Sequence, residues 1–193
     1  MNMYEQAEAP HRRRSIRLKG YDYSEAGTYF VTICTQNREC LFGNIIDGTI
    51  RLNEAGEMIQ TVWNEIPSHY DGIDVDEFVI MPNHVHGIIV IVGAGPCACP
   101  DSEPQKNGHP QGVAPTRLSL PDVAHRFKTL TTKRYVDGVK KHRWRPFAKA
   151  LWQRNYWEHI IRSEDDLNRT REYIHNNPRK WELDELYAET QTA

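Results

Sequence analysis

The stretch of residues 84–92 (HVHGIIVIV) sets the strongest limit on how this chain can fold. It follows a Pro-Asn pair and is rich in β-branched residues, which is typical of a buried strand. Because side chains alternate along a strand, His84 and His86 point to one face and Val85 to the other. The apolar run of residues 88–92 is too short to cross a bilayer. The stretch therefore predicts a central strand with two histidines on one face.

Hydrophobic periodicity predicts further strands and helices on both sides of this strand. Strands are expected at residues 29–35 and 75–81 and around residues 157–161. Helices are expected from Asn53 to Pro67, from residue 120 onward, and from Ser163 to about Asn177. This order predicts an α+β fold with a ferredoxin-like (split βαβ, RRM-like) antiparallel sheet and two helices on one face. The C-terminal helix is additional and could cover the open face.

The length of 193 residues predicts one domain with short appendages. We expect a flexible basic arm at residues 1–20, a domain at residues 21–181 and an acidic tail at residues 182–193. A Pro/Gly-rich flexible loop is expected at residues 93–116. The first residues lack the apolar segment of a signal peptide, and four cysteines are too few for a disulfide scaffold. These features predict a cytoplasmic protein with no membrane partner.

The net charge of −2 argues mildly against nucleic-acid binding, but the charges are segregated. Basic residues concentrate in residues 11–19 and 126–149, and in the second segment aromatic residues lie between them. Cations can bind phosphates while aromatic rings stack on bases, so a DNA-binding surface is one interpretation. A solvated amphipathic helix followed by a basic loop is the other. The candidate DNA-binding residues are Arg12, Arg13, Arg14, Arg17, Lys19, Arg126, Lys128, Lys133, Arg134, Lys140, Lys141, Arg143 and Arg145.

Two short motifs could carry chemistry. Imidazoles two residues apart on a strand, as in His84 and His86, can share one metal ion, although two histidines with ordinary hydrogen bonds would give the same pattern. On the last helix Tyr173 and Asn177 are four residues apart and share a face, so they offer a nucleophile and a third ligand. Tyr156 is a rival nucleophile, and His159 could orient the metal site or a phosphate.

Three longer segments together resemble one known family. They are YDYSEAGTYFVTICTQNRECLFG, VIMPNHVHGII and LWQRNYWEHIIRSEDDLNRTREYIHNNPRKW, which cover most of residues 20–181 in order. The sequence resembles the single-tyrosine HUH transposases, in particular the REP-associated tyrosine transposases. This resemblance implies a metal-dependent endonuclease and strand transferase that acts on single-stranded DNA with hairpin structure, such as palindromic repeats. It works through a covalent phosphotyrosine intermediate.

The resemblance also implies the roles of four residues. Tyr173 would be the nucleophile, and His84, His86 and Asn177 would hold Mg²⁺ or Mn²⁺. Members of the family occur as monomers and as homodimers, and the sequence favours neither. Two other functions stay open: a non-catalytic RRM-like module that binds single-stranded nucleic acid, and an HUH replication initiator or relaxase.

Overall fold

The computed structural model describes residues 17–18, 20–92 and 118–188. The predicted loop at residues 93–116 and the candidate DNA-binding residues Arg12, Arg13, Arg14 and Lys19 lie outside these ranges. The described residues form six strands and four α-helices: β1 (Gly27–Cys34), β2 (Gly43–Ile46), β3 (Thr49–Leu52), α1 (Glu54–Asn64), α2 (Ile66–His69), β4 (Ile73–Ile80), β5 (His84–Ile91), α3 (Leu120–His142), β6 (Trp157–Ile161) and α4 (Glu164–Asn176).

Four of the strands form one antiparallel sheet in the order β4-β5-β1-β6. Strand β5 lies between β1 and β4, which therefore run in the same direction. A separate hairpin pairs β2 with β3, and its turn contains Asp47 and Gly48, both with positive φ. The predicted α+β class with an antiparallel sheet is confirmed.

The two faces of the sheet are covered by different helices. Val85 and Ile89 of β5 join the larger hydrophobic core, which also contains Trp63 of α1 and Phe127 of α3. On the other face, Ile88 packs in a smaller cluster with Ile174 of α4. Because side chains alternate along β5, the histidines belong to the α4 face. Helix α4 thus covers the second face of the sheet, which carries neither of the two helices predicted for the other face.

Polar caps set the helix ends. The side chains of Asn53 and Ser163 accept hydrogen bonds from the backbone at the starts of α1 and α4, as the sequence predicts. Ser119 and Asp122 form a capping box that starts α3. Pro67 was expected to end the first helix. The structure instead ends α1 at Asn64 and places Pro67 in the first turn of α2, where proline is well tolerated.

Gly87 allows the indole of Trp63 to lie directly on the backbone of β5. A Cβ atom at this position would overlap the six-membered ring of Trp63, a side chain with no solvent exposure. We expect Gly87→Ala to lower the free energy of unfolding by about 1–3 kcal/mol because the core is overpacked. Urea unfolding measures this change.

A Trp63→Phe substitution supplies the control for this prediction. It removes the atoms that a Cβ at Gly87 would meet, so the double variant should be more stable than the sum of the two single effects predicts. A Gly87→Ala variant as stable as the unaltered protein would contradict the close approach of α1 to β5.

Candidate metal and nucleophile site

His84 and His86 lie together at the start of β5, on the face that α4 covers. Both side chains are buried, and their Nε2 atoms are 2.9 Å apart. Strand β1 supports them from one side, since Cys34 pairs with His84 and Thr32 with His86. The alternation of side chains predicted for this strand therefore brings the two Nε2 atoms close enough to bind one metal ion.

Hydrogen bonds behind the histidines orient their rings. The Asn83 Nδ2 atom donates to the carbonyl oxygens of Arg38 (3.2 Å) and Leu186 (2.8 Å), so its Oδ1 atom faces His84. His84 Nδ1 lies 2.7 Å from this oxygen and must carry the proton that it accepts. The Nε2 atom of His84 then keeps its lone pair. His86 Nδ1 contacts the Thr32 hydroxyl at 2.8 Å. Such outer hydrogen bonds are typical of metal-binding histidines.

Burial keeps both imidazoles neutral. It lowers the pKa of His86 to about 4, although the charge of Asp184 acts in the opposite direction. It also lowers the pKa of His84 well below its usual value, and the neighbouring His86 adds to this effect. At neutral pH the rings are therefore in the form that binds metals. The Nε2 atoms of His84 and His86 are 2.9 Å apart. Lone pairs on both atoms would repel each other unless a proton or a cation lay between them.

Asp184 is a candidate metal ligand that sequence analysis missed. It follows a 3₁₀ helix at Pro178–Leu183, and its carboxylate lies with the histidine nitrogens so that the three ligand atoms are within 4.8 Å of one another. The sequence placed it in the acidic tail. Arg38 Nη1 donates to the Glu185 carbonyl at 2.8 Å and helps to hold this segment beside the sheet. These backbone contacts leave no pattern in the sequence, so only the spacing after Asn177 could have hinted at Asp184.

Asn177 lies at the end of α4 and adds an amide oxygen to the site. Its side chain is buried, and Nδ2 donates to Asp184 Oδ2 at 3.1 Å. Its Oδ1 atom has no hydrogen-bond partner among the described residues. A buried oxygen without a partner is costly, and a bound cation would remove that cost. The orphaned oxygen, the carboxylate and the two neutral imidazoles therefore fit a divalent metal ion.

Tyr173 places its hydroxyl at the edge of this site. The side chain is 47% exposed, and the hydroxyl lies 3.4 Å from His86 Nε2. Burial of part of the ring and the charge of Asp184 raise the pKa of Tyr173, while the nearby Asn177 side chain acts in the opposite direction. Tyr173, His86 and Asn177 are thus brought together, as the sequence predicted from separate motifs.

An ion pair and a histidine contact hold α4 against the sheet. Arg171 donates through Nε and Nη2 to the two carboxylate oxygens of Asp76 on β4, at 3.0 and 2.6 Å. This contact lowers the pKa of Asp76. At the other edge of the sheet, His159 Nε2 lies 2.9 Å from Asp166 Oδ2. His159 therefore anchors the first turn of α4, and no hydrogen bond joins it to His84 or His86.

Tyr156 lines the same cleft as His86 and Tyr173, but its hydroxyl has no hydrogen-bond partner among the described residues. Its ring belongs to the core on the α3 face, and the Arg17 guanidinium and the Lys128 ammonium each lie 5.3 Å from the ring centroid. Burial raises its pKa, as it does for Tyr173. Tyr173 stays the candidate nucleophile because its hydroxyl lies 3.4 Å from His86 Nε2.

The candidate DNA-binding residues of α3 lie on the opposite side of the sheet from Tyr173, and three of them have contacts within the protein. Arg126 lies over the Tyr70 ring at 5.0 Å, and Arg134 pairs with Glu65 at 2.8 Å. Lys128 donates to the carbonyl oxygens of residues 153–155, and its burial lowers its pKa to about 8. The exposed candidates that follow in the chain are Lys133, Lys140, Lys141, Arg143 and Arg145.

An open cleft of about 880 Å³ lies in front of the site. Its walls come from β1, the segment before β6, helix α4 and the residues after it. His86, Tyr173, Asn177 and Asp184 all line it. Two cationic residues that the sequence did not single out, Arg169 and Lys180, lie in the same cleft. The cleft is large enough to admit a segment of an extended polymer to the tyrosine.

Comparisons with known proteins show what this chain is similar to. No family model matches the sequence. An uncharacterized protein of Haemophilus influenzae is 42% identical over 186 residues, which cover 93% of this chain and 95% of that protein. A second H. influenzae protein, which carries the provisional name REP-associated tyrosine transposase, is 24% identical over 159 residues, covering 82% of this chain and 74% of its own. The sequence is thus similar, at a distance, to a REP-associated tyrosine transposase.

A solved structure shares the fold of this chain. It is a REP-associated tyrosine transposase bound to a REP hairpin, with 18% identity and a TM-score of 0.52. The match covers 86% of this chain and 73% of that one. Within residues 17–18, 20–92 and 118–188 of this chain, no helix combines the length and apolar character needed to cross a membrane.

Proposed function

We propose that this chain is a metal-dependent endonuclease and strand transferase for single-stranded DNA, with a covalent phosphotyrosine intermediate. The observation that carries the proposal is the position of Tyr173, which lies beside the histidine pair in an open cleft. The Tyr173 hydroxyl is 3.4 Å from His86 Nε2, and its partly exposed ring leaves it open to a substrate. A nucleophile beside a metal site is the arrangement that phosphodiester cleavage needs.

Four side chains would hold the metal. His84 and His86 offer nitrogen ligands, Asp184 a carboxylate oxygen and Asn177 an amide oxygen. Carboxylate and carbonyl oxygens suit Mg²⁺ and Mn²⁺, and neutral imidazole is a common metal ligand. When bound, such an ion neutralises charge on the scissile phosphate and makes its phosphorus more open to attack.

The chain's own residues would then perform a transesterification. The Tyr173 oxygen forms a bond to phosphorus as the bond to the 3′ oxygen breaks, and the tyrosine proton ends on the released 3′ hydroxyl. Because a raised pKa keeps Tyr173 protonated, this proton must leave as the oxygen attacks. The phosphotyrosine bond keeps the energy of the broken one. A 3′ hydroxyl can therefore reverse the step and join strands without a nucleotide cofactor.

The proposed substrate class rests on a structural neighbour and on the cleft. The solved transposase that shares this fold is bound to a REP hairpin, and we propose DNA with hairpin structure as the partner here. A duplex is stiff, whereas a single strand beside a hairpin can bend its phosphate toward a tyrosine at the floor of a cleft. Arg169 and Lys180 at the cleft would contact the phosphates on either side of the scissile one.

A labelled hairpin oligonucleotide with single-stranded flanks tests the proposal. With Mn²⁺ or Mg²⁺ present, we expect a protein–DNA adduct that survives denaturing electrophoresis. EDTA should abolish the adduct, and excess Mn²⁺ should restore it. An RRM-like binding module would bind the oligonucleotide equally well in EDTA and form no adduct with any divalent ion. That outcome would contradict the proposed function.

A further inference from the structure

Trp157 is a large aromatic side chain that faces the cleft, and none of the described residues fully covers it. It is the first residue of β6, at the edge of the sheet, and 50% of it is exposed. It pairs with Thr32 of β1, which in turn pairs with His86 of β5. Cross-strand neighbours share a face. Trp157 therefore lies on the same face as the histidines and Tyr173, and it lines the same cleft.

Neighbouring rings hold Trp157 in a defined orientation. The buried Phe30 ring meets it edge-on at 5.6 Å, and His159 lies nearly parallel to it, with an interplanar angle of 12° and centroids 6.3 Å apart. Phe30 also contacts Tyr173 edge-on at 5.8 Å. One ring thus separates the exposed indole from the proposed nucleophile. A flat ring that is fixed in this way can stack on a ligand with little loss of side-chain entropy.

The groups around Trp157 indicate the chemistry of the ligand. Gln153 and Asn155 carry amides, and Arg169 and Lys180 carry positive charges, all in the same cleft. The ion pair between Arg169 and Asp166 is long, at 4.0 Å. An aromatic ring beside amides and cations suits an unpaired nucleotide, which offers a flat base, polar edges and an anionic phosphate.

We propose that Trp157 stacks on an unpaired base of the DNA strand next to the scissile phosphate. This inference rests on the proposed function, because it assumes that single-stranded DNA enters the cleft. The stacked base fixes the position of its own phosphate relative to Tyr173. Trp157 is therefore a positioning residue: it binds the base and takes no part in the transfer of the phosphoryl group. Stacking tolerates any base, so Trp157 supplies affinity without selecting a sequence.

The test measures binding alone, in a Tyr173→Phe background and in EDTA, so that it does not depend on cleavage. Two fluorescein-labelled hairpins serve as probes: one has thymine flanks, and the other has abasic flanks of the same length. By fluorescence anisotropy, Trp157→Leu should weaken binding of the thymine probe about tenfold or more. Binding of the abasic probe should not change. Trp157→Phe, which keeps a flat ring, should retain most of the affinity for the thymine probe.

Two results would overturn the inference. The first is a Trp157→Leu effect that is absent, or equal for the two probes, since a stacking ring must distinguish a base from its absence. The second is a loss of self-association in Trp157→Leu, measured by light scattering, which would assign the ring to a contact between two copies of the chain. The adduct assay on the unaltered protein reports separately on the proposed function, so the two failures can be told apart.

Discussion

A Tyr173→Phe variant is expected to form no covalent adduct with hairpin DNA, a loss of at least about 1,000-fold in the rate of cleavage. The change removes one oxygen atom, the only atom of this side chain that can attack phosphorus. It leaves the ring, which contacts Phe30 and His86 edge-on, so α4 should keep its position. Denaturing electrophoresis of the protein with a labelled oligonucleotide and Mn²⁺ measures the loss.

Tyr156→Phe is the matched control for this prediction. It removes the same atom from a tyrosine that lies in the core on the α3 face, and it should leave adduct formation unchanged. Binding of the oligonucleotide by Tyr173→Phe should also persist, which separates loss of chemistry from loss of folding. If the adduct survived in Tyr173→Phe and disappeared in Tyr156→Phe, the nucleophile would be Tyr156 and the assignment to Tyr173 would be wrong.

The second large effect is expected on metal binding. His86→Ala removes an imidazole whose Nε2 atom lies 2.9 Å from that of His84, and it should weaken Mn²⁺ binding by at least about 100-fold. Asp184→Asn should weaken binding about tenfold or more, because it keeps the shape of the side chain but removes the only carboxylate in the group of three. Electron paramagnetic resonance of free Mn²⁺ measures both affinities without DNA.

Glu182→Gln provides the control for Asp184→Asn. Glu182 lies two residues before Asp184, on the 3₁₀ helix that Asp184 follows, and its side chain is exposed. Both substitutions change the net charge by the same amount, so an effect of overall charge on the cation would appear equally in the two variants. Equal Mn²⁺ affinities for Asp184→Asn and the unaltered protein would remove Asp184 from the metal site and leave Asn177 as the oxygen ligand.

The parts of the site that sequence analysis predicted depend on local regularities. Alternation along β5 places His84 and His86 on one face wherever the strand lies in the sheet. Helical periodicity places Tyr173 and Asn177 on one side of α4 in the same way. The family resemblance joined the two motifs into one site. Their distance from each other follows from the packing of α4 on the sheet, which the Asp76–Arg171 ion pair supports.

The parts that were missed depend on contacts between distant segments. Asp184 reaches the histidines because Arg38 and Asn83 bind carbonyl oxygens of the segment that contains it. No repeat or spacing reveals a hydrogen bond to a backbone atom more than a hundred residues away. The basic residues of α3 stay a prediction as a DNA-binding surface. Their density does not reveal that Lys128 donates to three carbonyl oxygens of residues 153–155.

The order of residues alone thus specified the elements, the faces of β5 and α4, and the kinds of side chain available for chemistry. These follow from the geometry of strands and helices, which each segment carries with it. The distance of Tyr173 from His86, the approach of Asp184 to the histidines and the exposure of Trp157 arise only when the layers pack. Packing sets distances between segments far apart in the chain, and those distances decide which groups share a metal or face a substrate.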